Sequence, residues 1–330
     1  MDHDRALSLH RQSRRRRAPG PRACPADCFT GACRGDGVIA WARLIRLPNL
    51  PSPLADIALG ALAAGWPADP LPVVFLALAS MAIYAAGMVL NDYFDVSEDC
   101  LQRPERPLPR GDISRRDAGI AGHLLLGAGL VFATVSGHFL GGDDPTPGRV
   151  AMGLIAAVWV YNARAKRTIM GPFVMGACRG LNVLLGSSVA GESGLSAAWL
   201  PSAACFLYIA GLTWFARNDG GRSQRWQLAA SAAVVAVSLG LTAWTLAVRG
   251  NWVPVAAVVG LVAFLGQRVS RALRNPQPAS VRPAVGRLLL GYIPFDAAWA
   301  AGLAGPAGWG ILILMPVMVG LRRLMAARLT

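Results

Sequence analysis

Residues 91–99 read Asn-Asp-Tyr-Phe-Asp-Val-Ser-Glu-Asp and close an apolar run that begins near residue 72. Asp92 and Asp95 are three positions apart, and Asn91, Asp95 and Asp99 follow one another at four, so a helix brings them to one side. Carboxylates this close repel each other unless a cation holds them. Hard oxygen ligands suit Mg²⁺, which bridges one or two carboxylates to phosphate oxygens. A solvated acidic helix end, or acids paired with the arginines that follow, would produce the same pattern. The next segment, Arg103-Pro-Glu-Arg-Pro-Leu-Pro-Arg-Gly-Asp-Ile-Ser114, brings Arg103, Arg106 and Arg110 directly behind the acids. Guanidinium forks match phosphate bidentately. Carboxylates for a metal beside arginines for phosphate point to a diphosphate site.

The elements that must position this site lie in a membrane. The 330 residues are 54% hydrophobic and 15% charged, whereas a soluble domain carries about 25% charged residues. The apolar residues fall in successive blocks near the length that crosses a bilayer as helix. Spans are expected near 44–66, 72–95, 118–140, 149–163, 171–191, 197–216, 226–248, 252–272, 285–303 and 307–325. Of the 32 Lys and Arg residues, 29 fall before residue 47, in the segments 97–117, 164–167, 217–225 and 268–287, and in 322–328. The opposite loops hold Arg149 and Arg249. This asymmetry places both termini and the acidic motif on the cytoplasmic side, in a bacterial inner membrane. The net charge of +14 is therefore a topology signal, and no nucleic-acid partner is expected. Residues 1–37 differ in composition: they are polar, with Arg14 to Arg17 in a row, and lack the apolar stretch of a signal peptide. They read as a disordered basic cytoplasmic tail before a membrane domain spanning 38–330.

Three intramembrane polar sites remain, at Asp56, Arg179 and Asp296, each well inside a predicted span. A charge at that depth is costly and faces a partner or a cavity. Asn182 shares the Arg179 face at i+3, and either Asp could be the partner; a direct ligand contact of Arg179 is the other reading. Pro294 before Asp296 could instead mark a helix break lining a cavity.

The Asn-Asp-Tyr-Phe-Asp helix end and the Arg103–Ser114 loop resemble the first motif and following loop of the UbiA superfamily of intramembrane prenyltransferases. The resemblance covers nearly all of 38–325. Trp41-Ala-Arg-Leu-Ile-Arg-Leu-Pro-Asn49 is similar to the approach to that family's first helix, and Tyr161-Asn-Ala-Arg-Ala-Lys-Arg167 to its Tyr…Lys-Arg element. Gly171–Gly186 and Gly211–Gly221 resemble most the UbiA-like proteins of bacterial ebo gene clusters. The expectation is an all-α polytopic bundle of nine or ten spans around a central cavity, nine being what the resemblance implies and the tenth span a departure of this chain. The resemblance also implies Mg²⁺ at the cytoplasmic mouth, an isoprenyl diphosphate donor with its chain along an apolar wall, and a lipid-soluble acceptor. Carried over position by position, Asp92 and Asp95 would hold Mg²⁺ with Asn91 on the donor, and Asp99 would be an outer ligand. Arg106, Arg110 and Arg167 would meet phosphate. Tyr161 and Lys166 would act at the reacting carbon and the leaving diphosphate; an interfacial aromatic and a topology charge are their plain readings.

The chain departs from the pattern at the second acidic motif. Its position reads Thr213-Trp-Phe-Ala-Arg-Asn-Asp-Gly-Gly221, with Asp219 as the one acid left to hold a second metal, weakly or not at all, and Arg217 as a substitute charge toward substrate. The expectation is a Mg²⁺-dependent prenyltransferase acting in the bilayer. The alternative, favoured by the thin second motif, is a related membrane protein that binds or moves a lipid or metabolite without prenyl transfer.

Overall fold

The computed structural model describes residues 37–140, 142–217 and 223–327. The predicted tail 1–37, apart from Gly37, lies outside them, as does Asp219. Among the described residues the chain is helical and has no strand: α1 (Gly37–Leu44), α2 (Pro51–Ala63), α3 (Leu71–Gln102), the short α4 (Pro107–Arg110), α5 (Arg115–His138), α6 (Thr146–Ala163), α7 (Gly171–Ser187), α8 (Gly191–Ala216), α9 (Arg225–Val248), α10 (Trp252–Arg274), α11 (Pro278–Ala304) and α12 (Leu314–Ala327).

Each predicted span lands on helix, with two differences. Among the described residues, six helical runs are long and apolar enough to cross a membrane. Two of these are double: Gly171–Ala216 contains α7 and α8, and Pro278–Met325 contains α11 and most of α12. A 3₁₀ turn at Ser188–Ala190 lets α8 fold back along α7. The 13-residue α2 is too short, and α6 has 18 residues and carries Arg149. The tenth span is irregular, since a 3₁₀ segment over Gly305–Ile313 precedes α12.

Local sequence sets the ends of these helices. Proline stands in the first turn of α2, α3, α4, α6, α7 and α11, where the missing N–H is an orphan in any case. Ser114 caps α5, its Oγ accepting from the Asp117 backbone N–H at 3.0 Å. Gly111, at φ 78°, ends α4 in the left-handed region and turns the basic loop back toward α3.

Three apolar clusters make up the described core, the smallest joining Leu44, Val89, Val96 and Leu108 beneath the acidic end of α3, and two larger ones fill the bundle. One gathers Trp299, Tyr208, Tyr292 and Phe295 on the α8–α11 side; the other gathers Ile83, Leu90, Leu126 and Leu154 on the α3–α6 side. Helices α2 and α7 contribute to both and form the seam between them. At that seam Gly60 and Gly186 let backbones meet. A Cβ on Gly60 would collide with the Val183 carbonyl oxygen, and one on Gly186 with the Ile57 backbone. Small residues at such crossings are the usual route to close packing in membranes. The crossing sets Asp56 of α2 against Arg179 and Asn182 of α7.

Candidate active site

Helix α3 has 32 residues and is roughly 48 Å long at 1.5 Å per residue. A bilayer core is about 30 Å thick, so α3 is longer than a crossing requires, and its last turns carry Asp92, Asp95 and Asp99. One stripe further round the same helix, Ser80, Tyr84, Gly87, Met88 and Asn91 line a cavity of about 160 Å³. The cavity is closed by Leu154, Val158, Tyr161 and Asn162 of α6, by Met175, Cys178, Arg179 and Asn182 of α7, and by Arg46 and Pro53. The acidic stripe begins where the cavity stripe ends.

At that mouth the acids are held by cations of the protein itself, one of the two plain arrangements open from the sequence. Arg106 Nη1 reaches Asp92 Oδ1 at 3.0 Å and Asp99 Oδ2 at 2.5 Å. Arg167 Nη2 donates to Asp95 Oδ1 at 3.1 Å and Glu98 Oε2 at 3.0 Å. Lys166 Nζ lies 2.7 Å from Asp95 Oδ1, and the other N–H groups of this ammonium meet no described acceptor. Asn91 donates from Nδ2 to Asn162 Oδ1 at 3.2 Å, and Asn162 in turn donates to the Val158 carbonyl oxygen at 2.9 Å. Tyr161 stands on the cavity wall.

Arg46 was assigned no role from the sequence, yet it lines the cavity and its Nη2 lies 3.7 Å from Asp92 Oδ1. Its backbone is left-handed, at φ 53° and ψ 50°. A non-glycine residue held there costs roughly 1–2 kcal/mol, and such strain gathers at functional sites. The sequence marked it only as part of the Trp41–Asn49 segment, ahead of Leu47-Pro48, where the chain breaks between α1 and α2.

The deeper end is a closed polar network. Arg179 Nη1 donates to Asp56 Oδ2 at 2.8 Å and Nη2 to Ser52 Oγ at 2.5 Å. Asn182 Nδ2 donates to Asp56 Oδ2 at 2.8 Å and to the Pro53 carbonyl oxygen at 3.0 Å, while its Oδ1 accepts from Ser80 Oγ at 2.8 Å. Tyr292 OH donates to Asp56 Oδ1 at 2.8 Å. Of the two candidate partners for Arg179, the structure selects Asp56. Asp296 lies inside continuous helix, fully buried, with Cys205 Sγ 3.5 Å from its Oδ1.

Two residues expected to meet substrate stand away from the cavity. Arg110 turns to Asp112 Oδ2 at 3.3 Å and is half exposed, because Gly111 reverses the chain directly after it. Arg217 donates to the Arg167 carbonyl oxygen at 3.4 Å and lines a separate groove with Phe173, Trp214 and Trp226. No group of three acidic, His or Cys side chains is set as a ready-made metal cage among the described residues. The donor set still fits Mg²⁺, which is held by one or two carboxylates plus substrate phosphates rather than by an all-protein cage.

Residues 56–293 match the model of the UbiA prenyltransferase family. The digeranylgeranylglyceryl phosphate synthase of Methanothermobacter thermautotrophicus is 36% identical over 119 residues, covering 35% of this chain and 40% of the relative. That of Metallosphaera sedula is 28% identical over 172 residues, covering 51% and 57%. The chain thus spans about half the length of these relatives. Among solved structures, one concerning digeranylgeranylglyceryl phosphate synthase in membranes superposes at a TM-score of 0.62 with 18% identity, covering 81% of this chain and 99% of that one. An apo UbiA homologue from Aeropyrum pernix gives 0.57 and 20%, covering 77% and 97%. A homologue from Archaeoglobus fulgidus bound to DMAPP and Mg²⁺ gives 0.56 and 17%, covering 80% and 99%. The bundle is shared at low identity, and the family model accounts for most of the chain from α2 into α11: this protein belongs to the UbiA prenyltransferase family.

Proposed function

We propose that this protein transfers an isoprenyl group from a prenyl diphosphate to a lipid-soluble acceptor, with Mg²⁺, at the cytoplasmic face of a bacterial inner membrane. The observation that carries the reading is the interlock of Asp92, Asp95 and Asp99 with Arg46, Arg106, Lys166 and Arg167 at the mouth of the cavity. Each carboxylate is matched to a cation, so the mouth is close to neutral until a ligand arrives. A diphosphate draws the guanidinium and ammonium groups to its own oxygens. The acids freed by that exchange are available to the metal, with Asn91 beside them. When bound, Mg²⁺ neutralises charge on the departing diphosphate. Lys166, with donors unused, is the residue placed to follow the charge as it grows on the leaving oxygen. The bond between the allylic carbon and the diphosphate oxygen breaks, the acceptor supplies the new electron pair, and the acceptor's proton is released. Leu154, Val158 and Met175 keep water from the cation, and the Tyr161 ring faces the same space.

The known ligands of the Archaeoglobus fulgidus homologue support the donor class, and the names of the archaeal synthases support prenyl transfer. The test is an assay of purified full-length protein with labelled dimethylallyl, geranyl and geranylgeranyl diphosphates, with and without Mg²⁺, in a lipid extract as acceptor source. Formation of a labelled lipid only with Mg²⁺ is expected. Tight donor binding with no product and no diphosphate release would favour lipid or metabolite binding without transfer.

A further inference from the structure

The cavity is asymmetric in charge. Its mouth carries Arg46 and the cations around the acids, but its inner end carries Arg179 already matched by Asp56 at 2.8 Å. Asp296, fully buried, lies beside Asp56. One guanidinium therefore faces two carboxyl groups, and no positive charge is left over for a ligand anion. The neutral polar atoms are a different matter. Tyr84 sits on the cavity wall with its ring 5.7 Å from the Arg179 guanidinium carbon, and no described residue takes a hydrogen bond from its hydroxyl. Tyr84 and Asn91 share the cavity stripe of α3, seven residues apart, so the inner end lies about 10 Å below the mouth at 1.5 Å per residue. That distance suits a small ring or a short polyol whose far end is polar.

We propose that Tyr84, Cys178, Arg179 and Asn182 form the acceptor subsite, and that it takes a neutral, hydroxyl-bearing molecule and rejects a carboxylate or phosphate. The inference deepens the prenyltransferase reading and rests on it for the word acceptor. An acceptor hydroxyl at the inner end meets Tyr84 and the remaining Arg179 N–H groups, while its nucleophilic atom points back to the mouth. An anionic acceptor would have to displace Asp56 or compete with the diphosphate for Arg46.

Binding of matched probes to purified full-length protein in nanodiscs tests this without donor, so the outcome is separate from the transfer assay. The probes are 4-hydroxybenzyl alcohol against 4-hydroxybenzoate, and a 1-O-alkylglycerol against its phosphate. The neutral member of each pair is expected to bind tighter by about a hundredfold, the scale of a like-charge penalty in a desolvated site. Tyr84→Phe should weaken the alcohols about three- to tenfold, as loss of one hydrogen bond does. Asp56→Asn should narrow the preference, and Asp56→Asn with Asp296→Asn, which leaves the guanidinium unmatched, should reverse it. If the double variant does not fold, wild type and Tyr84→Phe decide the matter. Equal or tighter binding of the anions to wild type would overturn the proposal. So would probes that do not bind at all, or alcohol binding that Tyr84→Phe leaves unchanged. Failure of the transfer assay with the neutral preference intact would remove the enzyme reading and leave the subsite.

Discussion

Replacing Arg179 by Met removes one half of a buried ion pair whose other half, Asp56, is fully buried. Breaking such a pair costs about 3–5 kcal/mol, because the remaining charge is left uncompensated. Two hydrogen bonds are lost, to Asp56 and to Ser52, but Asp56 keeps those from Tyr292 and Asn182, each at 2.8 Å. These donors hold the carboxylate in place and put the expected loss at the lower end, about 3 kcal/mol. At roughly 2–4 °C per kcal/mol, the melting temperature of Arg179→Met should fall by roughly 6–12 °C without donor. Asp56→Asn in the same background removes the stranded charge, so the double variant should be more stable than the sum of the two single losses predicts, with a coupling of roughly 2–3 kcal/mol. The assay is thermal unfolding of the four proteins of the cycle in one detergent, with and without geranyl diphosphate and Mg²⁺. A fall of under about 2 °C for Arg179→Met, or strict additivity in the cycle, would refute the view of Arg179 as a structural pair. An unchanged apo melting temperature with lost donor stabilisation would instead move Arg179 into the donor site.

Asp92→Asn and Asp95→Asn should each abolish Mg²⁺-dependent transfer while the protein still inserts and purifies; wild-type turnover in either would remove the metal-site argument. Gly60→Val should drive α2 from α7, since a Cβ there meets the Val183 carbonyl oxygen and the Ser187 nitrogen; unaltered stability in a melting assay would show that the seam is looser than described. Reporters fused after Asp69, Asp143, Glu192 and Gly250 should read periplasmic, and those after Gly111, Thr168, Gly221 and Ala279 cytoplasmic. Inversion of the whole set would put the acidic mouth on the wrong side for a cytoplasmic donor.

The features legible from the sequence are those governed by local rules. Helix periodicity alone put Asp92, Asp95 and Asp99 on one side of α3, and apolar run length alone placed the helices, because both depend on neighbours within a few turns. Charge asymmetry between loops set the expected side of the membrane for a similar reason: it needs only the order of the segments. The Tyr…Lys-Arg element announced basic side chains but not their targets. That Lys166 and Arg167 meet Asp95, some 70 positions earlier, follows from α6 lying against α3.

Partnership across the bundle was decided by tertiary structure. Asp56 and Asp296 were equal candidates for Arg179 by type and depth. The choice came from the close crossing of α2 and α7 at Gly60 and Gly186, which sets Asp56 against the guanidinium. Arg46 gave no sign of its place at the mouth, because that depends on a left-handed backbone at the break between α1 and α2. Arg110 and Arg217 have the right charge and stand close in sequence to the motifs, yet a glycine turn and a separate groove take them from the cavity. Residue type and spacing specify which chemistry a helix can offer. Which side chains share a cavity, and whether a charge there is free or already matched, depends on how helices far apart in the chain pack together.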